Sequence, residues 1–132
     1  MDIHSSGRID VDEAEFCFVM SQAELATLSV TLERADETVA VVFSGGRLVF
    51  KTKTLSSTTP SSTFQVRQTG TRDIEICANP LELESLSRKL KDVAMSEVVP
   101  DYVAHVHLDQ WYTEPPIGLS EVIIQRSDSF HP

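Results

Sequence analysis

The stretch FCFVMSQAELATLSVTLERA (residues 16–35) carries the pattern of a strand followed directly by the pattern of a helix. Phenylalanines alternate with other side chains at its start, which is the two-residue period of a half-buried strand. Ser21 supplies a hydroxyl suited to capping a helix, and Leu25, Leu28 and Leu32 follow at the spacing of one helix face. The stretch therefore predicts a strand that passes directly into a helix.

A second copy of this pattern, IEICANPLELESLSRKLKDV, begins at Ile74. Aligned without a gap, Phe16 and Phe18 match Ile74 and Ile76, Ser21 matches Asn79, Glu24 matches Glu82, and Leu25, Leu28 and Leu32 match Leu83, Leu86 and Leu90. Pro80 follows the capping Asn79 at the first helical position, where its missing N–H costs no hydrogen bond. The chain is therefore predicted to contain an internal duplication, over approximately residues 14–54 and 72–128.

A pair of strands is predicted after each helix. TVAVVFSGGRLVFKTKT (38–54) has the pattern of a hairpin that turns at Gly45–Gly46, a dipeptide suited to a tight turn. YVAHVHLDQ and SEVIIQRSD form the second pair, joined by a longer loop through Pro115–Pro116. The Ser/Thr-rich segment 55–63 between the copies is predicted to be a flexible connector, and TFQVRQTG (63–70) is a candidate for one more strand.

Two β-α-β-β units in one chain indicate an α+β fold. A length of 132 residues suits one domain around a single core, so residues 1–132 are predicted to form one domain. In the simplest arrangement both helices cover one face of a shared, mostly antiparallel sheet.

This layout resembles one domain of a DNA sliding clamp, which is also built from a repeated strand–helix–strands unit, and the likeness concerns architecture alone.

Composition and charge narrow the classes of function. The hydrophobic fraction of 41% and the charged fraction of 23% are ordinary for a folded domain. No apolar run approaches the roughly 20 residues of a membrane span, and the polar N-terminal residues lack an export signal, so we expect a cytoplasmic protein without membrane contact. The net charge of -9 opposes binding to nucleic acid and favours a basic protein partner. Cys17 and Cys77 are expected to be free thiols.

The segment AHVHLDQWYTEPPIG (104–118) is the main candidate for a site. Side chains two apart on a strand share a face, so His105, His107 and Asp109 are expected to point the same way. Two histidines in this arrangement can bind a divalent metal with the aspartate as third ligand. The other two histidines lie in terminal segments, so an open polar sheet face is the preferred interpretation, without metal or cofactor.

Catalytic motifs are missing from the sequence. It contains no G-x-S-x-G elbow, no P-loop and no G-x-G-x-x-G motif. We therefore predict that the protein is not an enzyme, and a metal-dependent enzyme that uses the H-x-H-x-D strand is kept as an alternative.

Trp111 and Tyr112 stand where the predicted strand enters the Pro-containing loop. One interpretation is a small apolar cluster that packs against Pro115, Pro116 and Ile117. The other is an anchor for a protein partner, because tryptophan and tyrosine are enriched among the residues that dominate binding energy. Rigid prolines would then reduce the entropy cost of docking.

The order of these features resembles a known family. A strand and helix are followed by H-V-H-L-D, two aromatics, a Pro/Gly turn and LSEVIIQR, as in the bacterial immunity protein 32 family. The resemblance covers roughly residues 72–126 and extends more loosely over 14–54. His105, His107, Leu108 and Asp109 form its most distinctive element.

The resemblance implies a non-catalytic protein that binds and neutralises a cognate toxin domain of a bacterial polymorphic toxin or contact-dependent system. It identifies neither the toxin, for which a basic nuclease domain is one candidate, nor an established set of contact residues. The residues that we expect to contact the partner are His105, His107, Asp109, Trp111 and Tyr112. A sliding-clamp-like module that binds other proteins is the main alternative.

Overall fold

The computed structural model describes residues 2–13, 15–34, 38–52, 65–96, 105–108 and 121–127. Within these ranges the elements follow the predicted order, with two further strands at the N-terminus. They are β1 (Asp2–His4), β2 (Arg8–Asp12), β3 (Glu15–Met20), α1 (Gln22–Glu33), β4 (Val39–Phe43), β5 (Gly46–Thr52), β6 (Gln65–Gly70), β7 (Asp73–Ala78), α2 (Pro80–Met95), β8 (His105–His107) and β9 (Glu121–Arg126). The candidate strand in TFQVRQTG (63–70) is present as β6. The predicted connector 55–63 lies outside the described residues.

Both helices begin at the predicted capping residues. The amide of Glu24 donates to Ser21 Oγ at 3.2 Å, and the Glu24 carboxylate accepts from the Ser21 amide at 2.9 Å. Asn79 and Glu82 repeat this reciprocal arrangement at 2.8 and 3.3 Å. Each capping box satisfies two amides that would otherwise lack a partner, so the sequence marks the start of each helix.

The strands form two mixed sheets, whereas one shared and mostly antiparallel sheet was predicted. The five-stranded sheet has the order β1-β4-β5-β7-β6, and the four-stranded sheet has the order β2-β3-β9-β8. Three pairings, β1–β4, β3–β9 and β5–β7, are parallel. The α+β class is confirmed, but the single antiparallel sheet is wrong. An alternating pattern specifies which side chains face the core and leaves the neighbouring strand undetermined.

The sheets divide because the two units exchange their first strands. β3, from the first unit, pairs in parallel with β9 of the second unit. β7, from the second unit, pairs in parallel with β5 of the first unit. Each sheet therefore contains a strand pair from one unit beside the leading strand of the other. One apolar cluster contains residues from both sheets and both helices.

The two helices pack against each other at equivalent serines of the duplication. Ser29 Oγ donates to the Ser87 carbonyl at 2.8 Å, and Ser87 Oγ donates to the Ser29 carbonyl at 2.6 Å. Their small side chains allow the two backbones to approach closely. The predicted leucines of both helices are at most 2% exposed and form the centre of the core.

The predicted β4–β5 hairpin is present, and its two glycines have different functions. Gly45 has φ of 94°, the left-handed region that glycine adopts without strain. Gly46 pairs with Phe43 at the end of the turn. A Cβ on Gly46 would collide with the Arg72 carbonyl oxygen and with the Ile9 side chain. Gly45 therefore permits the turn, and Gly46 permits β2 of the other sheet to lie close by.

Neither helix in the described part of the chain combines the length and the apolar character that a membrane span requires.

Candidate functional site

The outward side of the four-stranded sheet carries most of the polar side chains near the predicted site, and we call it the acidic face. Its side chains alternate with the core residues of β2, β3, β8 and β9 and point away from the helices. The strand registers arrange them in rows: Asp12, Glu15 and Glu121; then Asp10, Cys17, Ile123 and His107; then Arg8, Val19 and Gln125, of which Val19 is buried.

His107 is the predicted site residue whose side chain the structure describes. It lies on β8, which pairs with β9 and ends the four-stranded sheet. Its Nδ1 atom is 2.7 Å from Glu121 Oε1, and its side chain is 29% exposed. The structure thus places His107 on an outward polar face with a carboxylate partner.

The other predicted contact residues lie on or after β8 in the sequence. His105 begins β8, where its backbone is opposite Gln125. Asp109, Trp111 and Tyr112 lie outside the described residues. Among the residues that the structure describes, no group of three or more His, Cys, Asp or Glu side chains is arranged to hold a metal ion.

Three carboxylates lie side by side across the acidic face. Glu15 is opposite Asp12 on β2 and opposite Glu121 on β9. The negative charge of Glu121 is the largest of the effects that raise the pKa of Glu15 above its ordinary value, followed by burial and the charge of Asp12. Like charges on directly opposed strand positions destabilise a sheet. We call Asp12, Glu15 and Glu121 the acidic row.

The outward side of β5, β7 and β6 holds the equivalent positions of the duplication, and we call it the compensated face. Glu75 on β7 is bound by Arg67 at 2.7 Å and by Lys51 at 3.3 Å. Burial raises the pKa of this carboxyl, but hydrogen bonds from Cys77, Lys51 and Arg67 outweigh burial and leave the pKa below its ordinary value. Acidic and basic groups on this face therefore neutralise one another.

A buried arginine fixes the strand that carries Glu121. Arg126, at the end of β9, is 3% exposed. Its guanidinium donates to the carbonyls of Val93 at 3.0 Å and Ser96 at 2.6 Å, at the C-terminal end of α2. This role was not predicted from the sequence. One feature of the sequence could have indicated it. Val122, Ile124 and Arg126 are two residues apart, so they share one side of the strand, and Arg126 is a basic residue on the side that faces the core.

A polar cleft of about 220 Å³ opens beside the start of α1. Glu24 lines it and accepts hydrogen bonds from the amides of Ser6 at 2.8 Å and Ser21 at 2.9 Å. Burial would raise the pKa of Glu24, but these hydrogen bonds outweigh burial and lower it. The Glu24 carboxylate thus ties the segment before β2 to the helix start.

Comparison with known proteins supports the predicted relationship. The family model described as Immunity protein 32 matches residues 73–127. This match confirms the resemblance to that family, and it spans β7, α2, β8 and β9, which contribute to both sheets. Glu121 and His107 of the acidic face lie inside the matched region, whereas Glu15 and Asp12 lie outside it. No curated protein and no solved structure matches the chain.

Proposed function

We propose that this protein is an immunity protein that binds a cognate bacterial toxin domain and neutralises it without catalysis of its own. The match of residues 73–127 to the immunity protein 32 family is the observation that carries the proposal. Neutralisation of this kind requires a stable surface that covers the functional surface of the toxin. The outward sides of the two sheets, which carry charged side chains, can provide such a surface.

The β8 side of the four-stranded sheet is the contact region that we propose. His107 faces outward there beside Glu121. His105 begins the same strand, and Asp109, Trp111 and Tyr112 follow shortly after it in the sequence. In this proposal the charged groups accelerate encounter with the toxin, whereas the aromatic side chains slow dissociation.

The proposal predicts growth rescue through a physical complex. A candidate toxin domain, sought among the neighbouring genes, is to be expressed in bacteria alone, with this protein, or with a non-cognate immunity protein. We expect growth arrest by the toxin alone, rescue by this protein, and no rescue by the non-cognate protein. The two chains should also co-purify, with the toxin chemically unmodified by intact-mass measurement.

Two results would contradict the proposal. One is failure of the purified chains to associate although the toxin is folded and active. The other is rescue that leaves a covalently altered toxin, because this protein would then act as an enzyme. Action in the cytoplasm is part of the proposal and is tested by rescue from toxin expressed without a secretion signal.

A further inference from the structure

The duplication provides an internal comparison for the charges on the two outward faces. Asp73 and Glu15 occupy equivalent places, one residue before the aligned Ile74 and Phe16. The neighbouring parallel strand places Arg47 opposite Asp73 but Glu121 opposite Glu15. The Arg47 amide also donates to Asp73 Oδ1 at 3.0 Å. The compensated face thus has opposite charges at this pair of positions, whereas the acidic face has like charges at the equivalent pair.

The next row repeats this difference. On the compensated face Arg67 is opposite Glu75 and pairs with it at 2.7 Å. On the acidic face the equivalent pair is Asp10 opposite Cys17. Asp10 forms an ion pair with Arg8 at 3.0 Å, and both side chains are more than half exposed, so this pair contributes little.

The acidic row is consequently left with an excess of negative charge. Within the described residues, no Lys or Arg side chain forms an ion pair with Asp12, Glu15 or Glu121. His107 contacts Glu121 but is charged only when it is protonated. The same fold supports compensation at equivalent positions, so the like charges are a property of this face and not of the architecture.

We infer that the acidic row and the adjoining part of β8 and β9 form a docking surface for a basic protein surface, in which lysine or arginine side chains of the partner approach Glu15 and Glu121. The inference rests on the proposed function and names the face and the chemistry of the toxin contact.

Two features support a protein as the occupant. Cys17 and Ile123 lie half-buried in the row beside the carboxylates and offer apolar contact. The net charge of -9 attracts a basic surface over long range and repels phosphate backbones.

If the acidic row binds the partner, one substitution in it should weaken binding without lowering the melting temperature of the isolated protein. Substitution of Glu121 by arginine recreates on the acidic face the Arg47–Asp73 combination of the compensated face. The isolated protein should then melt at the same temperature or higher, because a repulsive pair becomes an attractive one. The partner should bind more weakly, because its basic side chains would meet a positive charge.

The test measures association and dissociation rates with the purified toxin domain at several salt concentrations, together with melting temperatures. For Glu121→Arg we expect an association rate lower by roughly tenfold and a weaker salt dependence. Glu15→Gln removes one charge without touching His107, and it should lower the rate by a smaller factor with an unchanged fold. Arg47→Glu is the matched control on the compensated face; it should lower the melting temperature and not reduce the association rate.

The outcomes distinguish this inference from the proposed function. Wild-type rates for folded Glu121→Arg and Glu15→Gln, with rescue retained, would overturn the docking surface and leave the immunity function standing. No binding by the wild-type protein would instead contradict the proposed function. A melting temperature raised by calcium or magnesium ions alone, in the wild type but not in Glu121→Arg, would assign the row to a metal ion and overturn the inference.

Discussion

Arg126 places a full positive charge in the interior, at the end of α2 where backbone carbonyls lack helical partners. The negative end of the helix dipole and the hydrogen bonds to Val93 and Ser96 compensate for its desolvation. Arg126→Met keeps much of the apolar stem but removes the donors, so it should destabilise the fold by about 1–3 kcal/mol in denaturant unfolding.

Arg88→Met provides the control for this substitution. Arg88 forms an ion pair with Glu84 on the surface of α2, and its side chain is 75% exposed. Its replacement should cost less than about 1 kcal/mol. Equal losses for the two variants would mean that the buried guanidinium does not stabilise the helix end.

Gly46 and Gly45 should respond to alanine for different reasons. Gly46→Ala forces a Cβ against the Arg72 backbone and the side chain of Ile9, and we expect a loss of about 1–3 kcal/mol. Gly45→Ala meets no atom within 4 Å and should cost only the strain of positive φ, about 1 kcal/mol. Denaturant unfolding of both variants tests this order, and a larger loss at Gly45 would contradict the close approach at Gly46.

Trp111 and Tyr112 remain predictions of the sequence. If they anchor the toxin, Trp111→Ala and Tyr112→Ala should raise the dissociation rate of the complex and leave the melting temperature unchanged. Binding kinetics and melting curves on the same samples provide the measurement. A lower melting temperature with unaltered dissociation would instead identify an apolar cluster within the loop.

The two helices are the elements for which the sequence was most informative. Leucines at helical spacing and polar caps at Ser21 and Asn79 predicted where both begin and which side faces the core. The role of Arg126 was not predicted from the sequence. The two-residue period of a strand does not distinguish a basic side chain that binds the end of a helix from one that reaches solvent. His107 was placed on an outward strand face, but its contact with Glu121 depends on the pairing of β8 with β9.

Equivalent leucines of the two helices should contribute comparably to stability. Leu28 and Leu86 are both fully buried in the helix interface and core. Truncation of either to alanine leaves a cavity and should cost about 2–5 kcal/mol in denaturant unfolding. Val30→Ala, at a 46% exposed position on α1, is the control and should change stability by less than about 1 kcal/mol. Silent truncation of both leucines would contradict the duplicated core.

Across the whole molecule, the carboxylates make opposing contributions to the pH dependence of stability. The pKa of Glu24 is lowered by hydrogen bonds, so its stabilisation is present near neutral pH and is lost as pH falls through its folded pKa. The pKa of Glu15 is raised, chiefly by Glu121, so its ionisation costs stability as pH rises through its folded pKa.

Melting curves over a pH series should therefore separate two variants. Relative to the wild type, Glu15→Gln should be favoured most near pH 7, and this advantage should shrink in acid. Glu24→Gln should be destabilised most near pH 7, and its deficit should shrink in acid. Identical pH profiles for the two variants would contradict the assigned directions of the pKa shifts.

The α+β class was predictable because it depends on local periodicity, which the sequence shows directly. The division into two sheets was not, because it depends on which strand becomes the neighbour of β3 and β7. That choice is settled by packing across the whole chain, where Ser29 meets Ser87 and where Arg72 donates to the Ile9 carbonyl of the other sheet at 2.9 Å. Contacts between residues so far apart in the chain cannot be predicted from the pattern of a stretch of about ten residues.

The exchange of first strands has a consequence for synthesis on the ribosome. β3 is translated well before its parallel neighbour β9, because the side chains of Cys17 and Gln125 meet across 108 residues of chain. Contacts of such high sequence separation form slowly because a long loop must close first. The four-stranded sheet therefore cannot be completed while the second unit is still in the exit tunnel, and a nascent chain offers no finished acidic face until translation has passed β9.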